Sequence, residues 1–96
     1  MIPSEIVRRN RQQILQIVTA HRAAKPRVFG SVLRGEDTAT SDLDLLVDTL
    51  PGATLLDLGG LQMDLEDLLG IRVDVLTPGD LPARFRLLVL QEARPL

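Results

Sequence analysis

The chain has 96 residues, of which 45% are hydrophobic and 25% charged, so we expect one globular domain spanning residues 1–96 rather than a disordered segment. It contains no cysteine, which excludes a disulfide framework and a thiolate metal site. No apolar run approaches the roughly 18 residues of a membrane span. The N-terminus shows no signal-peptide pattern, and we therefore expect a cytoplasmic protein without a membrane partner.

The net charge of −2 conceals an uneven distribution. Residues 1–34 carry seven cations and one acid, whereas residues 35–82 carry eleven acids and one cation. This segregation indicates either an anionic ligand at one side and a cation at the other, or helix faces that are simply solvated. The only aromatic residues are two phenylalanines, so stacking platforms for single-stranded nucleic acid are nearly absent.

The first half of the chain predicts one helix and two strands. A helix capped by Ser4 carries an apolar stripe, is interrupted near Asn10, and ends before Pro26. Residues 27–30 are predicted to form a short strand that ends in glycine. Residues 41–48 are predicted to form a second strand with alternating apolar side chains.

The second half predicts a helix, a third strand and a last helix. Leucines at helical spacing mark residues 54–69, and the apolar run 71–76 reads as a strand. A Pro-Gly turn follows, and the last helix covers residues 81–93. The order predicts an α+β (α/β) fold in which a small mixed β-sheet carries its helices mainly on one face.

Two aspartates interrupt the apolar pattern of the second strand. Because strand side chains alternate, Asp42 and Asp44 point to the same face, about 6.6 Å apart. Asp74 occupies an equivalent place in the third strand. If the two strands pair, Asp74 lies within about 5 Å of the other two carboxylates.

Three neighbouring carboxylates repel one another, so a protein that keeps them needs protons or cations to neutralise them. Oxygen ligands favour Mg²⁺, and two such ions about 3.5–4 Å apart would serve phosphoryl or nucleotidyl transfer. In the alternative interpretation, Asp42 caps the strand and Asp44 faces solvent.

The segment before the aspartates favours the metal–nucleotide interpretation. Gly30 and Ser31 end the first strand and open a turn whose backbone N–H groups and hydroxyl suit a phosphate. Arg34 follows one helical turn later and could reach the same anion, although it could equally be a solvated side chain. The stretch lacks the Lys-Ser/Thr of a P-loop and the third ligand of an EF-hand.

Gly30-Ser31, ten intervening residues and Asp42-x-Asp44 resemble the signature of the nucleotidyltransferase superfamily of the DNA polymerase beta type. Arg34-Gly35, Ser41 and Asp74 also match, and in size the chain is similar to the minimal nucleotidyltransferases. Many of these are antitoxins encoded beside HEPN-domain ribonuclease toxins. The resemblance implies a palm-like core, ATP as the donor, and transfer of AMP to a tyrosine of the toxin.

The same resemblance implies a role for each matching residue. Gly30 and Ser31 would hold the triphosphate, with Arg34 as a further phosphate contact. Asp42 and Asp44 would ligate the metal ions, and Asp74 would complete the site and help to deprotonate the acceptor hydroxyl. No residues remain for a template-binding domain, so we do not expect a polymerase.

Two other functions stay open at this stage. The chain could be a non-catalytic module that neutralises a partner by occlusion, using the apolar last helix and the arginine-rich first helix. It could also modify a small molecule such as an aminoglycoside, although no second domain is left to shape that pocket. Assembly with itself or with a toxin is compatible with the sequence.

Overall fold

The computed structural model describes all 96 residues. The helices are α1 (Pro3–Arg9), α2 (Arg11–Ala20), α3 (Ser31–Arg34), α4 (Leu55–Leu69) and α5 (Ala83–Glu92). The strands are β1 (Ala23–Phe29), β2 (Leu43–Thr49), β3 (Val73–Leu76) and β4 (Arg94–Pro95), and a 3-10 turn spans Pro78–Asp80. The predicted α+β (α/β) fold with one small mixed β-sheet is confirmed, whereas the predicted order of elements omits α3, β4 and the break between α1 and α2.

The four strands form one mixed sheet in the order β3-β2-β1-β4. Strand β2 lies in the middle, antiparallel to β1 and parallel to β3. The predicted pairing of the two aspartate-bearing strands is therefore present. The two-residue strand β4, antiparallel to β1, has no counterpart in the prediction, because so short a segment leaves no periodic signal.

The hydrophobic core lies on one face of the sheet. The alternate residues Leu43, Leu45 and Val47 of β2 are fully buried there. They belong to one cluster with side chains of α1, α2 and α4, namely Val7, Ile14, Val18, Leu61, Leu65 and Leu69. Each fully buried side chain of this kind stabilises the fold by about 1.5–3 kcal/mol. The other face of β2 carries the side chains of Asp44, Leu46 and Asp48.

The prediction of one helix from Ser4 to Pro26 is wrong at both ends. The helix begins after Ile2 with Pro3 in its first turn, and Ser4 makes no side-chain cap. It breaks at Asn10, near the predicted interruption, and its second part ends at Ala20. Proline suits the first turn because its missing N–H would have no partner there.

The residues before Pro26 form a strand instead of a helix. Ala23 is buried and pairs with Thr49 of β2, so tertiary packing overrides the helix preference of alanine. Arg22 turns the chain into the strand with a positive φ of 58°. Pro26 is tolerated because the β1–β2 pairing is irregular between Ala24 and Arg27.

Side chains of α4 close the free edge of β3. The Val73 N–H donates to the Glu66 carboxylate at 3.0 Å, and the Val75 N–H donates to the Gln62 side-chain oxygen at 3.4 Å. These two backbone groups point away from β2 and would otherwise lack a partner. The contacts hold β3, and with it Asp74, against the middle of the sheet.

Helix α5 is attached mainly through its ends and buries no residue. At the N-terminal end, Arg86 donates to the carbonyl oxygens of Pro78 at 2.8 Å and Leu81 at 3.0 Å. At the C-terminal end, the chain runs directly into β4. Four large apolar side chains of α5, namely Phe85, Leu87, Leu88 and Leu90, remain exposed. No helix of the chain combines the length and the hydropathy that a membrane span needs.

Candidate active site

The candidate site begins at the turn that joins β1 to α3. Gly30 has a φ of +73° and a ψ of −146°, a conformation that residues with a Cβ rarely adopt. A Cβ at this position would also overlap with the carboxylate of Asp44. The turn and the aspartate strand are therefore in direct contact, with Ser31 as the first residue of the short helix.

The three predicted acidic residues lie at one end of the β2–β3 pair. Asp44 and Asp74 are opposite each other in the parallel register, so their side chains project from the same face of the sheet. Asp42 comes one residue before β2, and the alternation of extended chain directs it to that face as well. All three residues are half-buried.

The electrostatics of Asp44 reflect the nearness of the three carboxylates. Burial raises the pKa of Asp44 above its ordinary value of 3.8, and the negative charges of Asp74 and then Asp42 raise it further. The guanidinium of Arg34 acts in the opposite direction and lowers the pKa of Asp44. Asp44 is thus the carboxyl group on which the acidic residues and the predicted phosphate contact all act.

The donor atoms suit a hard divalent cation by type, since carboxylate oxygens are the ligands that Mg²⁺ prefers. A cation here would also relieve the like-charge repulsion that raises the pKa of Asp44. As the side chains stand, no three His, Cys, Asp or Glu residues are close enough together to hold a metal ion. The fit therefore rests on donor chemistry and a shared face, not on a preformed coordination cage.

Arg34 lies at the end of α3 and is held by a local contact. Its Nε donates to the Glu36 carboxylate at 3.2 Å, and both side chains are more than half exposed. Such an exposed ion pair contributes little, about 0.2–1 kcal/mol. Arg34 can therefore exchange this partner for an incoming anion at small cost.

A cleft of about 420 Å³ adjoins Arg34. Leu33 and Arg34 form one wall, and the residues at the end of α5, Gln91 to Arg94, form the other. The sequence did not indicate this cleft, because its two walls are nearly 60 residues apart along the chain. Only the pairing of β4 with β1 brings the end of α5 to this place.

An ion pair lies at the opposite end of the sheet face that carries Asp44. Arg27 of β1 donates to the Asp48 carboxylate at 3.2 Å, and Leu46, between this pair and Asp44, is fully buried. Arg27 therefore has a structural role in this ion pair, although it belongs to the cationic part of the chain, residues 1–34. Of the cations in that part, Arg34 is the one whose charge acts on Asp44.

Known proteins resemble the chain in sequence over most of its length. The model of the nucleotidyltransferase domain family matches residues 8–96. A Methanocaldococcus jannaschii protein to which protein adenylyltransferase activity is ascribed is 39% identical over 83 residues, covering 86% of this chain and 89% of the relative. The protein adenylyltransferase MntA of Thermococcus cleftensis is 37% identical, covering 84% of this chain and 90% of the relative.

Solved structures have the same fold. A structure described as a minimal nucleotidyltransferase matches with a TM-score of 0.86 and 48% identity, covering 97% of this chain and 95% of that chain. A toxin–antitoxin structure with AMP-PNP matches with a TM-score of 0.74 and 18% identity, covering 90% of this chain and 71% of that chain. The second likeness is one of fold alone.

Proposed function

Because the chain belongs to the nucleotidyltransferase domain family and has the architecture of its minimal members, we propose that it transfers AMP from ATP to a protein hydroxyl. The acceptor is a tyrosine of a HEPN-domain ribonuclease toxin, and the modification makes this chain an antitoxin. The observation that carries the proposal is the register of β2 and β3, which sets Asp44 opposite Asp74 beside the Gly30–Ser31 turn.

The reaction is a substitution at the α-phosphorus of ATP. The acceptor oxygen forms a bond to this phosphorus, the bond to the bridging oxygen of the β-phosphate breaks, and pyrophosphate leaves. Asp74, on the same face as Asp44, accepts the proton of the hydroxyl. Gly30, Ser31 and Arg34 hold the triphosphate.

Asp42, Asp44 and Asp74 would hold Mg²⁺, in a two-ion arrangement if both sites fill. When bound, the metal supplies positive charge that neutralises the carboxylates and the phosphate oxygens. The positive charge of Arg34 acts on the same group of oxygens from the α3 side. In the complete site, the negative charges of the three aspartates would thus be offset by the positive charges of Mg²⁺ and Arg34.

The protein acceptor is supported by the relatives. Two of them carry protein adenylyltransferase as their name or ascribed activity, and the chain covers about nine-tenths of the length of each. A neighbour in fold is a toxin–antitoxin complex with AMP-PNP, an ATP analogue. These likenesses support a nucleotide donor and a toxin partner for this chain.

The test is incubation with labelled ATP, Mg²⁺ and the HEPN protein encoded beside this chain. We expect label on the partner with the wild type and none with the Asp42→Ala, Asp44→Ala double variant. Asp67→Ala is the matched control, because Asp67 is an exposed acid of α4 without a hydrogen bond or ion pair. Equal labelling by the wild type and the double variant would remove the catalytic assignment.

A second candidate function is neutralisation by occlusion, and the exposed surface of α5 favours it. Phe85, Leu87 and Leu88 are between 46% and 69% exposed on a helix that buries no residue. Apolar side chains left in water at this density are typical of a protein-binding surface. Full neutralisation of the toxin in cells by the aspartate double variant would favour occlusion over catalysis.

A further inference from the structure

The loop of residues 35–42 connects the two halves of the candidate site. It runs from the end of α3, which begins with Ser31, to Asp42. Its internal hydrogen bonds are local: the Thr38 N–H donates to the Ser41 hydroxyl at 2.8 Å, and the Glu36 N–H donates to the Ser31 carbonyl at 2.9 Å. No residue of the loop is buried, so apolar packing does not fix its position.

One hydrogen bond ties this loop to a distant part of the fold. The Ser4 N–H donates to the Asp37 carboxylate at 2.9 Å across 33 residues of sequence. Every other hydrogen bond of residues 35–42 stays within the loop or reaches back only to α3. Asp37 therefore supplies the single long-range polar link of the segment.

The other end of this bond is well anchored. Ser4 lies in the first turn of α1, where Pro3 and Val7 are buried. Ile2, which precedes the helix, makes no side-chain cap. The Asp37 carboxylate, which lies outside the helix, instead accepts the hydrogen bond of a backbone N–H in the first turn. A negative charge is also favourable at the positive end of the helix dipole.

We propose that Asp37 is a positioning residue for nucleotidyl transfer, holding the loop so that Ser31 and Asp42 keep their relative placement. This inference rests on the proposed function of those two residues. Asp37 itself contacts no reacting atom and acts through the loop. Because a small misplacement of reacting groups slows a reaction strongly, loosening the loop lowers kcat more than it alters nucleotide binding.

Three variants test the proposal. Asp37→Ala removes the acceptor, whereas Asp37→Asn keeps an oxygen that can accept the Ser4 N–H. Asp57→Ala is the matched control, because Asp57 likewise accepts a backbone N–H, from Thr54 at 2.8 Å, at the start of α4. The measurements are amide hydrogen exchange of residues 36–42 without nucleotide, the melting temperature, and KM and kcat for ATP in the labelling assay.

We expect the loop amides of Asp37→Ala to exchange about fivefold faster, the factor that corresponds to loss of a typical cap. Its kcat should fall at least roughly tenfold with little change in KM. Asp37→Asn should recover most of the activity. Asp57→Ala should lose a similar amount of thermal stability while keeping the wild-type kcat.

Unchanged loop exchange in Asp37→Ala would overturn the proposal, and so would an equal loss of kcat in Asp57→Ala at matched melting temperature. A wild-type chain that labels no partner would count against the proposed function instead. In that case, the exchange rates of the loop still decide whether Asp37 holds it in place.

Discussion

Gly30 leaves open the space that the carboxylate of Asp44 occupies, because a Cβ at residue 30 would overlap with that carboxylate. The proposed phosphate turn can therefore pack closely against the acidic strand only because residue 30 has no side chain. Glycine is needed here for two separate reasons, its positive φ and this close approach.

Replacing Gly30 with Ala should destabilise the fold and displace Asp44. The backbone conformation of Gly30, φ +73° with ψ −146°, by itself costs about 1–3 kcal/mol for a residue with a Cβ, and the clash adds to that. Gly70→Ala is the control for a positive φ without a close contact, since Gly70 has a φ of +69° and a ψ of 20°, and a Cβ there would meet no atom within 4 Å. Chemical denaturation should show a larger loss of unfolding free energy for Gly30→Ala, and equal losses would contradict the clash.

Replacing Asp44 with Asn should leave the metal-free protein as stable as the wild type or more stable at neutral pH, and should abolish Mg²⁺ binding. The folded-state pKa of Asp44 is raised, so its protonated form is favoured by folding and its charge opposes folding. The two proteins should converge below pH 3.8, the ordinary pKa, and separate as the pH rises through the folded-state pKa. Denaturation curves at several pH values and Mg²⁺ titration calorimetry provide the measurements. A marked loss of stability in the Asn variant would instead show that the Asp44 carboxylate is a structural acceptor.

The contribution of Asp37 to the unfolding free energy should depend on pH in the direction opposite to that of Asp44. The hydrogen bond from the Ser4 N–H lowers the pKa of Asp37 below 3.8, so its charged form is favoured by folding. Its contribution to the unfolding free energy is present above the ordinary pKa and disappears as the pH falls through the lower folded-state value. The stability difference between the wild type and Asp37→Asn should therefore shrink in acid, and a difference that grows in acid would refute this assignment.

Two neighbouring glycines of α4 should respond differently to alanine. Gly59 faces open space, so Gly59→Ala should stabilise the protein by up to about 1 kcal/mol through helix propensity. A Cβ at Gly60 would lie 2.9 Å from the His21 ring, which is paired with Asp64 at 2.7 Å. Gly60→Ala should therefore gain less or lose stability, as thermal denaturation of both variants would show. An equal gain in both would mean that the His21 ring moves aside freely.

Much of the site could be predicted because its signal is local. The alternation Asp42-Leu43-Asp44-Leu45 on a strand already places both carboxylates opposite the core, since strand periodicity has only two faces. The turn at Gly30 and Ser31 could be predicted because these residues come directly after an apolar strand pattern. The matching position of Asp74 required one further assumption, that the two strands pair, and the parallel pairing of β2 with β3 confirms it.

Other features could not be predicted because their cause is distant in sequence. Residues 21–26 have the composition of a helix end, yet Ala23 joins a strand since Thr49 lies beside it. No local pattern marks Asp37, because its partner Ser4 lies 33 residues earlier in the sequence. Neither contact leaves a trace in the local pattern.

The amino-acid sequence by itself determined the faces of the strands, the glycine turn and the family, because periodicity and motif spacing act over a few residues. Only the tertiary structure decided the extent of β1, the contact of Gly30 with Asp44 and the tie between Asp37 and Ser4. These depend on which surfaces meet once the core is buried, and burial is a property of the whole chain.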